Sequence, residues 1–199
     1  MGHRLINDSL IINVVEDSML WFLNRGSGLV LVGLLTLSTL LGVLSAGSTA
    51  TGSGPRLFVS QALHRNISLL SVAFLAVHVA TAVIDDYVDI RWWQALSPFG
   101  ATYQPLWLGF GALALDLILV IVISSLVRVR MRHRPWQWVH LTSYAAWALG
   151  LTHGIGIGTD MDGLETLGVQ FSIGCAVVVG LAMAHRVLTG SRAAAGRSG

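Results

Sequence analysis

Leu57 to Ile84 reads LFVSQALHRNISLLSVAFLAVHVATAVI, and Pro135 to Ile157 reads PWQWVHLTSYAAWALGLTHGIGI. Each stretch is long enough and apolar enough to cross a bilayer as a helix. Each also carries two histidines: His64 and His78 in the first, His140 and His153 in the second. Ionisable side chains are costly inside a spanning helix and mark functional positions there. One such histidine alone is as readily a packed, hydrogen-bonded core residue as a ligand. Two helices that carry two each, at matching depths, weigh against that reading.

The spacing sorts the four into pairs. His64 and His78 are 14 residues apart, about 21 Å along a helix, and point within roughly 40° of each other. His140 and His153 are 13 apart, about 19.5 Å along the axis. The heights therefore match His64 with His140 and His78 with His153. One imidazole from each helix at each depth suggests two stacked metal centres, most simply two haems. Six-coordinate iron of that kind suits electron transfer, because no ligand has to leave when the oxidation state changes. The second helix is the less regular of the two. Thirteen ideal residues rotate its second histidine by about 140° from the first. It is expected to bend, tighten locally or let its histidines reach sideways. Zinc or another bare metal fits less well, since no Cys or carboxylate cluster is at hand to close a tetrahedral site. His3, His133 and His185 fall in the N-terminal segment, a loop and a helix end, and read as solvated or interfacial.

Composition sets the setting. The chain has 199 residues, of which 54% are hydrophobic and 11% charged. A soluble domain carries about 25% charged residues, so this is the composition of a membrane protein. The net charge is only +2, and all 12 basic residues are arginine, placed near helix ends. That distribution speaks for membrane topology and against nucleic-acid binding. The single cysteine, Cys175, has no partner for an internal disulfide and reads as a small packing residue.

Along the chain, residues 1–19 read as a surface segment. Leu20 to Leu44 is the first span. Glu16 and Asp17 precede it where a signal peptide needs positive charge, so it is not read as one. The run SAGSTATGSG is a flexible connection, and Leu57 to Ile84 is the second span. A polar loop with Trp92 and Trp93 as interfacial anchors leads to the third span, Leu106 to Val127. The arginine-dense RVRMRHR precedes the fourth, Pro135 to Ile157. The acidic GTDMDGLE precedes the fifth, Leu167 to Leu188. Residues 189–199 read as a disordered tail. Domain organisation is thus one membrane domain over 20–188. Arg128, Arg130, Arg132, Arg134, Arg56, Arg186, Arg192 and Arg197 fall on one side, and Arg4, Arg25 and Arg91 on the other. The positive-inside rule then places the N-terminus outside and the C-terminus in the cytoplasm of a cell inner (plasma) membrane. His64 and His140 lie toward the cytoplasmic side.

With these features in place, the chain resembles the ferric reductase-like transmembrane domain superfamily. That group includes NADPH oxidases, ferric reductases and the haem subunit of bacterial methionine sulfoxide reductase. The H-x13-H helix, the arginine-rich loop and the H-x12-H helix PWQWVHLTSYAAWALGLTH carry the resemblance, which covers roughly Leu20 to Leu188. It implies an inner haem b held by His64 and His140 and an outer one held by His78 and His153. LWFLNRGSGLV resembles the family's first core helix, and Arg25 stands where the family places an arginine near the outer haem. There it would pair with a propionate or hold an anionic acceptor; an interfacial, snorkelling arginine is the competing reading. Two departures matter. Many relatives have six spans against five here. Full NADPH oxidases add a flavin and nicotinamide domain, whereas this sequence has no strand followed by a Gly-rich dinucleotide turn. The GIGIG run after His153 ends a membrane helix and instead allows close approach.

The sequence thus predicts an all-α integral membrane bundle of about five helices, binding two haems b. It would be the haem-bearing membrane subunit of an oxidoreductase. A separate flavoprotein or quinol would donate electrons to an acceptor on the outer face. A self-sufficient ferric or oxygen reductase and a non-redox metal-binding membrane protein stay open as alternatives. Asp116, in the third span, reads as a helix–helix hydrogen-bonding group or as a proton or quinol site. Asp160 and Asp162 read as a solvated acidic loop or as an attractor of cations.

Overall fold

The computed structural model describes residues 2–48, 55–85, 90–157 and 164–195. They form α1 (Gly2–Ser48), α2 (Pro55–Ile84), α3 (Trp92–Leu96), α4 (Pro105–Leu126), α5 (His133–Ile157) and α6 (Leu164–Ala195). A 3-10 turn, Arg128–Arg130, lies between α4 and α5. There is no strand among the described residues. The fold is all-α, as the apolar runs require.

Four segments are long and apolar enough to cross a membrane: Met19–Ser45, Phe58–Ile84, Pro105–Leu126 and Leu167–Thr189. The protein is a membrane protein on that ground. The fifth expected span, in α5, has the length but not the apolarity of the other four. The reason is visible in its residues. His140, His153, Trp147 and Gly156 turn toward neighbouring helices, so α5 spends much of its surface on polar and close contacts within the bundle.

Two ends differ from expectation. Residues 2–19 continue α1 without a break. Neither Gly nor Pro occurs between Gly2 and Gly26, so a helix nucleated in the span propagates backward. Helix α1 also runs on through Ser48, into the stretch expected to be a connection. The tail expected to be disordered is helical as far as Ala195, ending in Arg192 to Ala195, which favour helix.

The bundle is built from antiparallel pairs. Helix α2 packs on α1 and α5 on α4, while α1 also touches α5 and α6. Helices α2 and α5 do not pack closely on each other. Large apolar side chains such as Phe58, Leu69, Leu126 and Leu181 are exposed, as a lipid-facing surface requires. The interior is rich in small residues and hydroxyls, with Ser27, Thr36, Ser38, Ser71, Ala112, Ala146 and Ser172 buried beside Leu31, Val43, Leu108, Leu151 and Val179. Small residues let membrane helices approach closely. The hydroxyls of Thr36, Ser71 and Thr81 donate to the carbonyls four residues back, at 2.8, 2.8 and 2.9 Å. Across α1 and α2, Ser45 and Ser60 share a hydrogen bond of 2.6 Å.

Candidate functional site

The structure brings the four histidines together in the two pairs that the heights predict. The His64 and His140 rings stand 6.1 Å apart, centre to centre, with planes at 71°. The His78 and His153 rings stand 6.3 Å apart, with planes at 79°. Helix α5 is α-helical throughout, with no bend into another helix type. The 13-residue spacing is thus accommodated without a 3-10 or π segment.

Three of the four rings are fixed from behind in the same way. His64 Nδ1 donates to Ser38 O (3.0 Å), His78 Nδ1 to Asn24 O (3.1 Å) and His153 Nδ1 to Trp107 O (2.8 Å). A carbonyl only accepts, so each Nδ1 carries the proton and each Nε2 keeps its lone pair for a metal. Four residues after each of these carbonyls comes a glycine: Gly42, Gly28 and Gly111. In a helix the carbonyl of residue i lies beside residue i+4, so a glycine there leaves room for the imidazole. A Cβ at Gly111 would stand 2.7 Å from the His153 ring, at Gly28 3.1 Å from His78, and at Gly42 3.9 Å from His64. On α1 the two units are 14 residues apart, which matches the 14 between His64 and His78. Asn24 adds a second hold. Its amide donates to His78 O (2.9 Å) and to Thr81 Oγ1 (3.1 Å).

His140 is the exception. Its Nδ1 is buried without a hydrogen-bond partner among the described residues. The ring is stacked on Trp136, with centres 4.9 Å apart and planes at 19°. The Arg128 guanidinium caps that indole at 4.3 Å. Fourteen residues beyond Trp107 and Gly111, α4 has Ile121 and Ser125, so the carbonyl–glycine unit is not repeated. Ile121 O instead accepts from Ser124 Oγ at 2.9 Å.

One imidazole from each side could hold a metal-bearing cofactor at each level. An imidazole nitrogen binds a transition metal at about 2 Å and its ring centre lies about 1 Å behind. Two imidazoles that shared one ion would thus stand about 6 Å apart, close to the separations at both levels. Two ligands do not complete a metal's coordination. No group of three or more His, Cys, Asp or Glu that could hold a metal ion occurs among the described residues. The remaining donors would have to come from a cofactor itself, and α2 and α5 do not pack closely on each other. Between the two levels, Trp147 Nε1 donates to Thr36 Oγ1 at 3.0 Å and ties α5 to α1.

Other candidate residues are placed as follows. Arg25 follows Asn24 on α1, and its guanidinium lies over the Trp21 indole at 5.0 Å. Asp116 is on α4 and makes no hydrogen bond or ion pair among the described residues, so the expected helix–helix bond is not formed there. Asp160 and Asp162 lie outside the described residues. His133 and His185 are exposed, as expected. Gly156 of the GIGIG run abuts the Trp107 indole, a close approach of α5 to α4. Asn24, Gly28, Gly42, Trp107, Gly111 and Trp136 were not legible as site residues from the histidines alone. A usable signal existed for two of them: Gly28 and Gly42 repeat at the same interval as His64 and His78.

Fold and site together define a helical membrane protein with two facing histidine pairs at two depths. Residues 19–160 match the family model of a domain of unknown function, DUF8596. The match covers more than half of the chain, so the protein belongs to that family. All four paired histidines lie within it, and α6 lies beyond it. No curated protein matches the chain in sequence.

Proposed function

We propose that the protein is a di-haem b cytochrome that carries electrons across the membrane. The observation that carries this reading is the repeated pair of imidazoles, 6.1 and 6.3 Å apart, at two depths of one bundle. Haem, when bound, supplies a one-electron couple, and the protein supplies ligation, orientation and electrostatics. His64 with His140, and His78 with His153, would hold the two irons. Ser38, Asn24 and Trp107 carbonyls fix three of the rings in the ligating tautomer. The resemblance to the ferric reductase-like transmembrane domain supports the same assignment.

A separate cytoplasmic flavoprotein is the proposed donor, with quinol as the other source, and the acceptor lies at the outer face. The orientation follows from the arginines, with Arg128, Arg130, Arg132 and Arg134 on the cytoplasmic side. The function is that of the haem-bearing membrane subunit of an oxidoreductase.

Proteoliposomes test the reading. Vesicles loaded with ferricyanide and carrying the haem-reconstituted protein are given dithionite outside. Ferricyanide inside is expected to be reduced far faster than in empty vesicles, and His64→Ala and His78→Ala are each expected to abolish the difference. Equal rates with and without the protein would contradict the proposal.

A further inference from the structure

We infer that the two levels are unequal as electron stations, and that the His64–His140 level holds an electron more strongly than the His78–His153 level. This rests on the haem reading above and adds an order to it. A hydrogen bond from Nδ1–H to a carbonyl makes an imidazole a more basic ligand. A more basic ligand stabilises the oxidised iron, and second-shell hydrogen bonding is one of the protein's means of setting a haem potential. At His78 and His153 both rings have that bond, at 3.1 and 2.8 Å. At the other level only His64 has it, at 3.0 Å, and His140 Nδ1 has none among the described residues. The His78–His153 level is therefore the poorer place for an added electron.

A second, independent feature acts in the same direction. Trp136 stacks on His140, and the Arg128 guanidinium lies 4.3 Å over the Trp136 ring. A cation close to one centre favours its reduced form. The cause of the asymmetry lies in the sequence. The 14-residue interval keeps both α2 histidines facing α1 carbonyls. The 13-residue interval turns His140 away from the direction in which His153 finds Trp107 O. In the haem-loaded, half-reduced protein the electron would reside at the His64–His140 level, with the His78–His153 level left oxidised. That distribution is favoured at least tenfold, which corresponds to about 59 mV for a one-electron couple.

The experiment is a potentiometric titration of the purified, haem-loaded protein, followed by its absorption spectrum, after haem has been counted per chain. Two one-electron components at least about 59 mV apart are expected. His78→Ala is expected to remove the lower component or turn it high-spin, and His64→Ala to do so to the higher one. Arg128→Gln keeps both ligand pairs intact and is expected to lower the higher component alone. Two haems that titrate as one component, a His78→Ala protein that loses the higher component, or an Arg128→Gln protein that shifts the lower one would overturn the order. A count of none or one haem per chain would overturn the underlying reading instead.

Discussion

Helices α2 and α5 carry the same two residues to the same two depths, but they are framed differently. Helix α2 lies against α1, which offers a carbonyl and a glycine to each histidine at one repeated interval. Helix α5 lies against α4, which offers them only to His153. At the other end of α5, aromatic stacking on Trp136 takes their place. A ligand pair is thus specified twice: by the histidines, and by the backbone that holds them from behind. The first specification is complete on both helices, the second on only one.

The comparison can be broken most severely at the ligands. His153→Ala is expected to lower haem content from two per chain to about one, as His78→Ala does, because both act on the same level. Unequal losses in the two variants would contradict the pairing. A smaller effect is expected at the glycines that admit the rings. Gly111→Ala and Gly28→Ala bring a Cβ to 2.7 and 3.1 Å from His153 and His78. Overpacking of this kind costs about 1–3 kcal/mol, read as a lower thermal midpoint in detergent, with Gly111→Ala the worse. Gly42→Ala meets His64 only at 3.9 Å. It should be neutral or gain up to about 1 kcal/mol from helix propensity. An inverted ranking would show that these glycines serve something other than the imidazoles.

Removal of the side-chain clamp on α1 should cost less still. Asn24→Ala loses the bonds to His78 O and Thr81 Oγ1 but keeps the Asn24 carbonyl. Interhelical hydrogen bonds in membranes contribute roughly 0.6–2 kcal/mol, so a drop in that range is expected with haem retained. Among the destabilising changes, the smallest belongs to the tie between the two halves. Thr36→Val removes the acceptor of Trp147 Nε1 and should lower stability by about 0.6 kcal/mol, with both haems kept.

The architecture was largely legible in the sequence, because apolar runs of spanning length dictate helices regardless of neighbours. The pairing of His64 with His140 and His78 with His153 was legible for the same reason, since rise per residue fixes height. What lay behind each ring was not. Backbone acceptors such as Trp107 O carry no sequence mark of their own, and a glycine such as Gly111 is one among 22. The stacking of Trp136 on His140 depends on how side chains leave α5, which the 13-residue interval left open. At the ends polarity suggests loose segments, whereas residues 3–19 hold no helix breaker and Arg192 to Ala195 are good helix formers.

The central claim is that the two imidazole pairs each hold a haem. A pyridine haemochromogen assay on the purified protein, paired with a dithionite-reduced minus oxidised spectrum, tests it most directly. Two b-type haems per chain, with all of the reduced spectrum low-spin, are the predicted result. A protein that folds with its helices intact and binds no haem would contradict it.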